Sequence, residues 1–292
     1  MRALKRWSSL CLIACGVPEL LGAMQLQADT VKAWDEYVRS AEARLQNRTD
    51  STRSFLWIDE SPERRAQVQR GAVIVAPVVG RGTKNVPDGL IHDWIGAVFI
   101  PRATIERLSR VLHDYNRYKD IYKPGVTDSE ILGCLGGNPE FSMVWQRRVL
   151  FVNAAIEGQY VARDLALGPR RGYTVADTTK VQEIENYGRA NQRLLPPGEG
   201  RGFIWRLHSI ARYEETDGGV YLELEAIALT RDIPASLAWL VNPIVNHLSM
   251  NSLMTTLRQT RQAVARLPVT LEPAALCRPR EGHLEARSSV GE

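Results

Sequence analysis

The chain has 292 residues, 44% of them hydrophobic and 24% charged, the balance of a soluble globular protein of one moderate domain plus an extension. Its formal charge is +4, with lysines and arginines scattered among acids and no basic run, which argues against nucleic acid as the main partner.

The first 28 residues have the layout of a secretory signal peptide. Arg2, Lys5 and Arg6 form a positive start, Leu10 to Val17 a short apolar core, and Gly22, Ala23 and Ala28 offer small residues for cleavage. Cleavage is expected near Ala23 or Ala28. An export destination, periplasmic or secreted, follows. Leu12-Ile13-Ala14-Cys15 also resembles a bacterial lipobox, which would anchor the chain at Cys15. Loss of residues 1–28 removes three basic residues and Glu19, leaving a formal charge of +2. Cys11 and Cys15 would leave with it. Cys134 and Cys277 would remain, either as two thiols or as one disulfide. No later apolar run approaches the ~20 residues that span a bilayer.

Residues 30–46 read as a helix capped by Thr30, with Trp34, Tyr37, Val38, Ala41 and Leu45 on one face. A polar linker to about residue 53 separates it from a main domain over 54–267. There, Ser54–Asp59 suggests a short strand, Ala72–Val79 a buried one, and Leu90–Pro101 a strand ended by proline. Residues 103–122 read as one helix with Ile105, Leu108, Val111, Leu112 and Tyr115 inward, stopped at Lys123-Pro124-Gly125. Strands follow over 126–135, 140–158, 159–167, 172–186, 202–216 and 219–230, separated by glycine- and proline-rich turns. Residues 235–264 form a long helix, with Pro243 and Ser249-Met250-Asn251-Ser252 expected to break it in two. Residues 268–292 have the composition of a disordered tail.

Asp217-Gly218 lies between two alternating runs and predicts a hairpin. If these two residues are the turn, Thr216 faces Gly219, Tyr213 faces Leu222, Arg212 faces Glu223 and Ala211 faces Leu224. One face then carries Phe203, Trp205, Leu207, Ala211, Tyr213, Val220, Leu222, Leu224, Ala226 and Ala228. The other carries Arg206, His208, Arg212, Glu214, Glu223 and Glu225, and is expected to face water. The last helix would cover the apolar side.

Two stretches carry a family resemblance. Residues 111–132, VLHDYNRYKDIYKPGVTDSEIL, end a helix in a leucine-x-aspartate-tyrosine run and pass through a proline-glycine turn into a strand. Residues 233–264, IPASLAWLVNPIVNHLSMNSLMTTLRQTRQAV, close the domain with a long helix. In order and spacing they resemble the START-like, or SRPBCC, superfamily over roughly residues 92–266. The resemblance implies an α+β helix-grip fold: a curved antiparallel sheet wrapped around the C-terminal helix, with a hydrophobic cavity between them and, here, an N-terminal helix as an extension. Nothing in the family matches residues 54–90.

Chemistry-bearing patterns are sparse. None of His92, His113, His208, His247 and His283 has metal-ligand spacing, so neither a metal nor a cofactor is expected. Cys134 beside His113 lacks a nucleophile signature. Thr178, Lys180, Glu183 and Glu185 alternate ambiguously; one carboxylate turned inward would be a polar anchor or an acid, though a solvated face is the simpler reading, as it is for Arg147-Arg148. The ligand-binding candidates are Trp145, Phe151, Phe203, Trp205, Leu222, Leu224, Trp239, Val241 and Val245. Sequence alone does not separate a filled core from a cavity at these positions; the resemblance favours the cavity. It implies a non-catalytic carrier of a lipid or other hydrophobic small molecule, touching membranes transiently. The alternative is a cyclase- or dehydratase-like enzyme, which needs two inward ionisable groups.

Overall fold

The structure, a computed structural model, describes residues 24–50, 54–149, 152–232 and 235–268. Residues 1–23, where most of the expected signal peptide falls, Phe151, Cys277 and the residues beyond Pro268 lie outside the described residues, as do the side chains of Trp239, Val241 and Val245.

In chain order the elements are β1 (Met24–Gln25), α1 (Ala28–Thr49), a 3-10 turn at Trp57–Glu60, α2 (Pro62–Gln69), β2 (Ile74–Pro77), β3 (Thr83–Val86), β4 (Gly89–Pro101) and α3 (Ile105–Leu112). A second 3-10 turn leads to α4 (Tyr118–Ile121), β5 (Val126–Leu135), β6 (Asn138–Val149), β7 (Val152–Ala166), β8 (Arg171–Glu185), β9 (Arg193–Leu194) and β10 (Glu199–Gly200). β11 (Arg206–Thr216), β12 (Gly219–Arg231) and α5 (Ala235–Arg266) complete the chain. A ten-stranded antiparallel sheet runs β2-β4-β12-β11-β8-β7-β6-β5, with β3 beside β4 and β9 beside β8. This is the helix-grip α+β arrangement expected, with α5 lying across one face of the sheet.

The β11–β12 register is the expected one throughout: Thr216 opposite Gly219, Tyr213 opposite Leu222, Arg212 opposite Glu223, Ala211 opposite Leu224. A side-chain period of two makes it costly to slip, since one step would turn the whole apolar set away from α5. That set forms the inner core. Val98, Ile100, Val220 and Leu222 of the sheet pack with Leu253, Leu257 and Val264 of α5 and with Leu108 and Val111 of α3. Gly96 brings α5 close to β4: a Cβ there would lie 2.7 Å from Leu257 Cδ1 and 3.0 Å from the Ile74 carbonyl oxygen.

Several local expectations are corrected. α5 is one continuous helix through Pro243 and the Ser249–Ser252 cluster. Conversely, the helix expected over 103–122 stops at Leu112; its continuation is a 3-10 turn and the short α4, which lets Tyr115 stack on Phe141 with ring centroids 4.2 Å apart. Ser54–Asp59 is not a strand but leads into a 3-10 turn. Ala72–Val79 gives only the four-residue edge strand β2, half-buried. The run 140–158 holds a hairpin between β6 and β7. α1 is longer than 30–46 at both ends, and Gln27, not Thr30, is its N-cap residue; the Thr30 hydroxyl donates to the Pro87 carbonyl at 2.8 Å.

The largest difference concerns the face expected to be wet. α1 and residues 55–68 cover it. Trp34, Tyr37 and Ala41 pack on Ile91, Ile227 and Leu229, while Phe55, Leu56, Ile58 and Val68 pack on Ala97 and Tyr221. His208, Arg212, Glu223 and Glu225 are therefore buried. The segments without a counterpart in the resemblance form a second layer over the sheet.

Candidate functional site

Accessibility is inverted along β11 and β12. On the inner face, toward α5, Leu207, Ser209, Leu224, Ala226, Ala228 and Thr230 are half-buried. On the outer face, under α1, their neighbours His208, Ile210, Glu223, Glu225, Ile227 and Leu229 are buried. α5 shows the same gradient. Leu253, Leu257, Thr260 and Val264 are buried, whereas Asn246, Leu248, Ser249 and Met250 keep solvent access. Among its described side chains, α5 is therefore buried from Leu253 to Val264 at the positions that face the sheet and partly accessible from Asn246 to Ser252.

The inner side of the sheet carries polar atoms without partners among the described residues. His92 lies on the inner face of β4; its Nε2 pairs with Thr230 Oγ1 at 3.0 Å, while its Nδ1 is buried without a partner among the described residues. Burial pulls its pKa down to about 4, so the ring is neutral at pH 7. Trp94 Nε1 and Trp145 Nε1 on the sheet and Asn246 Oδ1 on α5 are likewise buried and unpartnered. Arg147, two residues beyond Trp145 on β6 and so on the same face, donates to Ser252 Oγ of α5 at 2.9 Å. It is exposed, and partial desolvation lowers its pKa.

The candidate residues fall into distinct places. Leu222 belongs to the packed inner core and Leu224 to its half-buried margin. Trp145 packs against the aromatic cluster of Tyr115, Tyr118, Phe141 and Tyr160. Phe203 is half-buried, and its N–H donates to Glu183. Trp205 is a correction. Regular pairing starts only at Arg206, so the strand's alternation does not extend back to it, and its ring is buried on the outer face with Trp34 and Leu229. Trp239, Val241 and Val245 sit on α5 with side chains outside the described set, and Phe151 lies outside altogether.

Of the ambiguous carboxylates, Glu183 is the anchor. Buried, it accepts the backbone N–H groups of Arg201 and Phe203 at 2.8 and 2.9 Å and so holds the loop between β10 and β11. Cys134 is disulfide-bonded and so is no free nucleophile; the other cysteines, Cys11, Cys15 and Cys277, lie outside the described residues. His113 is occupied on both nitrogens, by Ser109 and Asp164, each at 2.9 Å.

Sequence reasoning missed a buried polar network under α1. Tyr37 donates to Asp93 Oδ2 at 2.7 Å, and Arg44 bridges Asp93 and Glu225 at 3.3 and 3.0 Å. Arg212 lies 3.5 Å from Glu225 and donates to Glu223 at 3.2 Å; Glu223 also accepts the N–H groups of Trp57 and Ile58. Burial pushes Asp93 up to about 7, helped by the Glu225 charge. Glu223 is also raised by burial, against the pull of Arg212 and the two backbone donors. The signal that could have found the network is the helical spacing of Tyr37 and Arg44 opposite acids on central strands. Nearby, Glu42, Asp177 and His208 bring ligand atoms within 4.8 Å of one another. Arg163 already donates to Glu42 and Asp177, and His208 pairs with Asp177 at 2.6 Å, so these ligand atoms are engaged by protein partners.

Neither a family model nor a curated protein matches the sequence. Among solved structures, a STAR-related lipid transfer protein from Xanthomonas axonopodis is 18% identical, with a TM-score of 0.42 over 66% of this chain and 99% of that one. An aromatase/cyclase from Streptomyces is 14% identical, with a TM-score of 0.42 over 60% and 94%. Human STARD10 is 11% identical, with a TM-score of 0.40 over 65% and 76%. Among the described residues, no helix is long and apolar enough to cross a membrane.

Proposed function

We propose that this protein is a non-catalytic binding or carrier protein for a lipid or other hydrophobic small molecule, held between the inner face of the sheet and the first half of α5. The observation that carries this reading is the inverted accessibility of β11 and β12. Apolar side chains facing α5 keep solvent access while charged ones facing α1 do not. A ligand tail that covered Leu207, Leu224 and Ala226 would gain about 25 cal/mol per Å² of apolar surface removed from water, before the entropic costs of binding. Trp145, Phe203, Leu222, Leu224, Trp239, Val241 and Val245, with Phe151, remain the proposed lining, and Trp205 leaves the set.

We further propose export to the periplasm or beyond, with transient membrane contact for loading. Two observations support export: the layout of residues 1–28, and the disulfide at Cys134, a bond that persists in oxidising compartments. Met24 and Gln25 pair with Gly200 and Glu199, so cleavage at Ala23 would keep a pairing that cleavage at Ala28 would remove.

A catalytic reading is kept as the second one because the inner face of the sheet carries two groups with shifted pKa values, the buried His92 and the exposed Arg147. Native mass spectrometry of the protein purified from its own host, followed by lipid extraction, tests both. A recovered apolar molecule of unchanged mass on prolonged incubation supports carriage. Loss of water or ring closure in that molecule replaces it with the enzyme reading. Repeated recovery of ligand-free protein, together with no binding of added lipids, refutes both.

A further inference from the structure

Arg147 is held by three elements of the fold. It stands on β6 on the same face as Phe141, Met143 and Trp145, which pack into the interior aromatic cluster. Its guanidinium lies against the turn before β5: a Cβ on Gly125 would stand 3.3 and 3.4 Å from its two terminal nitrogens. On the other side it donates to Ser252 of α5 at 2.9 Å. Three elements thus position it, but no carboxylate among the described residues pairs with it. By contrast the buried Arg212 is paired with Glu223 and Glu225, and the half-exposed Arg44 with Asp93 and Glu225. One hydroxyl uses a single donor of a guanidinium fork, whose planar shape matches the two oxygens of a carboxylate or phosphate. An accessible guanidinium without a protein counter-charge is open to an anion from solution.

We infer that the inner face takes a single-chain amphiphile whose anionic head, a carboxylate or phosphate, is bound by Arg147 and Ser252 while its apolar tail runs past Trp145 toward Leu207, Leu224 and Ala226. This inference rests on the carrier reading above and adds the ligand class and its orientation. It also separates the two ends of the site. The charged end lies at the junction of β6 and α5, and the neutral His92 lies on β4 in the apolar part.

The test compares three ligands of equal tail length, dodecanoate, dodecyl phosphate and dodecanol, on the full chain and on its Arg147→Gln and Arg147→Lys variants, by calorimetry at pH 7.5. Wild type is expected to bind at least one anion between about ten- and a hundredfold more tightly than the alcohol, the range for a charge-assisted hydrogen bond. Arg147→Gln is expected to erase that preference and leave the affinity for dodecanol within about threefold of wild type; Arg147→Lys is expected to keep a reduced preference. The ratio of the two anions tells a carboxylate head from a phosphate one. Equal binding of acid and alcohol by wild type overturns the anion subsite and leaves carriage standing. Equal loss of all three ligands in Arg147→Gln, with an unchanged melting temperature, overturns it too, by making Arg147 a structural wall. Binding of none of the three by wild type overturns both readings.

Discussion

Acidification should unlock the inner layer through His92. The ring is buried, and its one partner among the described residues is the Thr230 hydroxyl, a neutral group that cannot compensate a charged imidazolium. Its folded-state pKa is about 4, against 6.5 when free, and burial is the sole cause. Between these two values the unfolded chain binds a proton that the folded chain refuses. The unfolded state thus carries more protons in this window, and stability rises with pH across it. The contribution is fully present above pH 6.5 and is lost as pH falls toward 4. At about 1.36 kcal/mol for each pH unit between the two values, the loss comes to about 3 kcal/mol. The perturbation is His92→Gln, which retains a hydrogen-bonding group for Thr230 but has no proton to gain. The assay is urea unfolding of both proteins from pH 7.5 to pH 4. The wild type should lose about 3 kcal/mol more than the variant over that range, with little difference in slope above pH 7. A stability difference that stays constant within about 0.5 kcal/mol would refute the reasoning, since it would mean that the ring takes up its proton as readily folded as unfolded.

Asp93→Asn should behave in the opposite sense. Because burial raises the folded-state pKa of Asp93 from 3.8 to about 7, its contribution is complete below 3.8 and lost as pH rises through 7, so the variant should gain about 2–4 kcal/mol on wild type between pH 4 and pH 8 in the same assay. Leu257→Ala should cost about 2–5 kcal/mol, as expected of a fully buried leucine. Gly96→Ala should cost about 1–3 kcal/mol through overpacking, and because its added methyl meets Leu257 Cδ1, the double variant should be less destabilised than the two single costs combined.

What was legible in the sequence was local or periodic. Asp217-Gly218 between two alternating runs specified a whole hairpin register, and the apolar set it defined is the face that α5 covers. The helical face of Trp34, Tyr37, Ala41 and Leu45 was legible too, and these four are buried. What that face meets was not, because pairing α1 with strands some 50 to 180 positions away leaves no period in the sequence. The same limit misassigned His208, Arg212, Glu223 and Glu225. Polar residues at alternate positions look the same whether water or a second polar layer satisfies them. Trp205 shows the opposite failure: alternation was extended one residue past the strand, and that single step moved its ring to the other face. Arg147 looked like a solvated charge for want of any local mark, and only the approach of Ser252 from α5 sets it apart.

The network under α1 explains why the outer layer needs its charges in pairs. Asp93, Glu223 and Glu225 face Arg44 and Arg212, three carboxylates against two guanidinium groups. With Asp93 pushed up to about 7 it carries a proton for much of the time at neutral pH, and the remaining charges then balance. Replacing such a set by apolar residues of equal volume would often stabilise a protein, so its presence is weak evidence of raw stability. Its geometry argues instead for register. Tyr37 and Arg44 are seven positions apart, two turns of one helix face, and both reach Asp93. Sliding α1 by one turn along the sheet would strand Asp93 and Glu225 without their donors, whereas an apolar seam would tolerate the slip. On this account α1 is clamped at one position on the outer face. The strands beneath it are held from outside, and solvent access is left to the opposite face, toward α5.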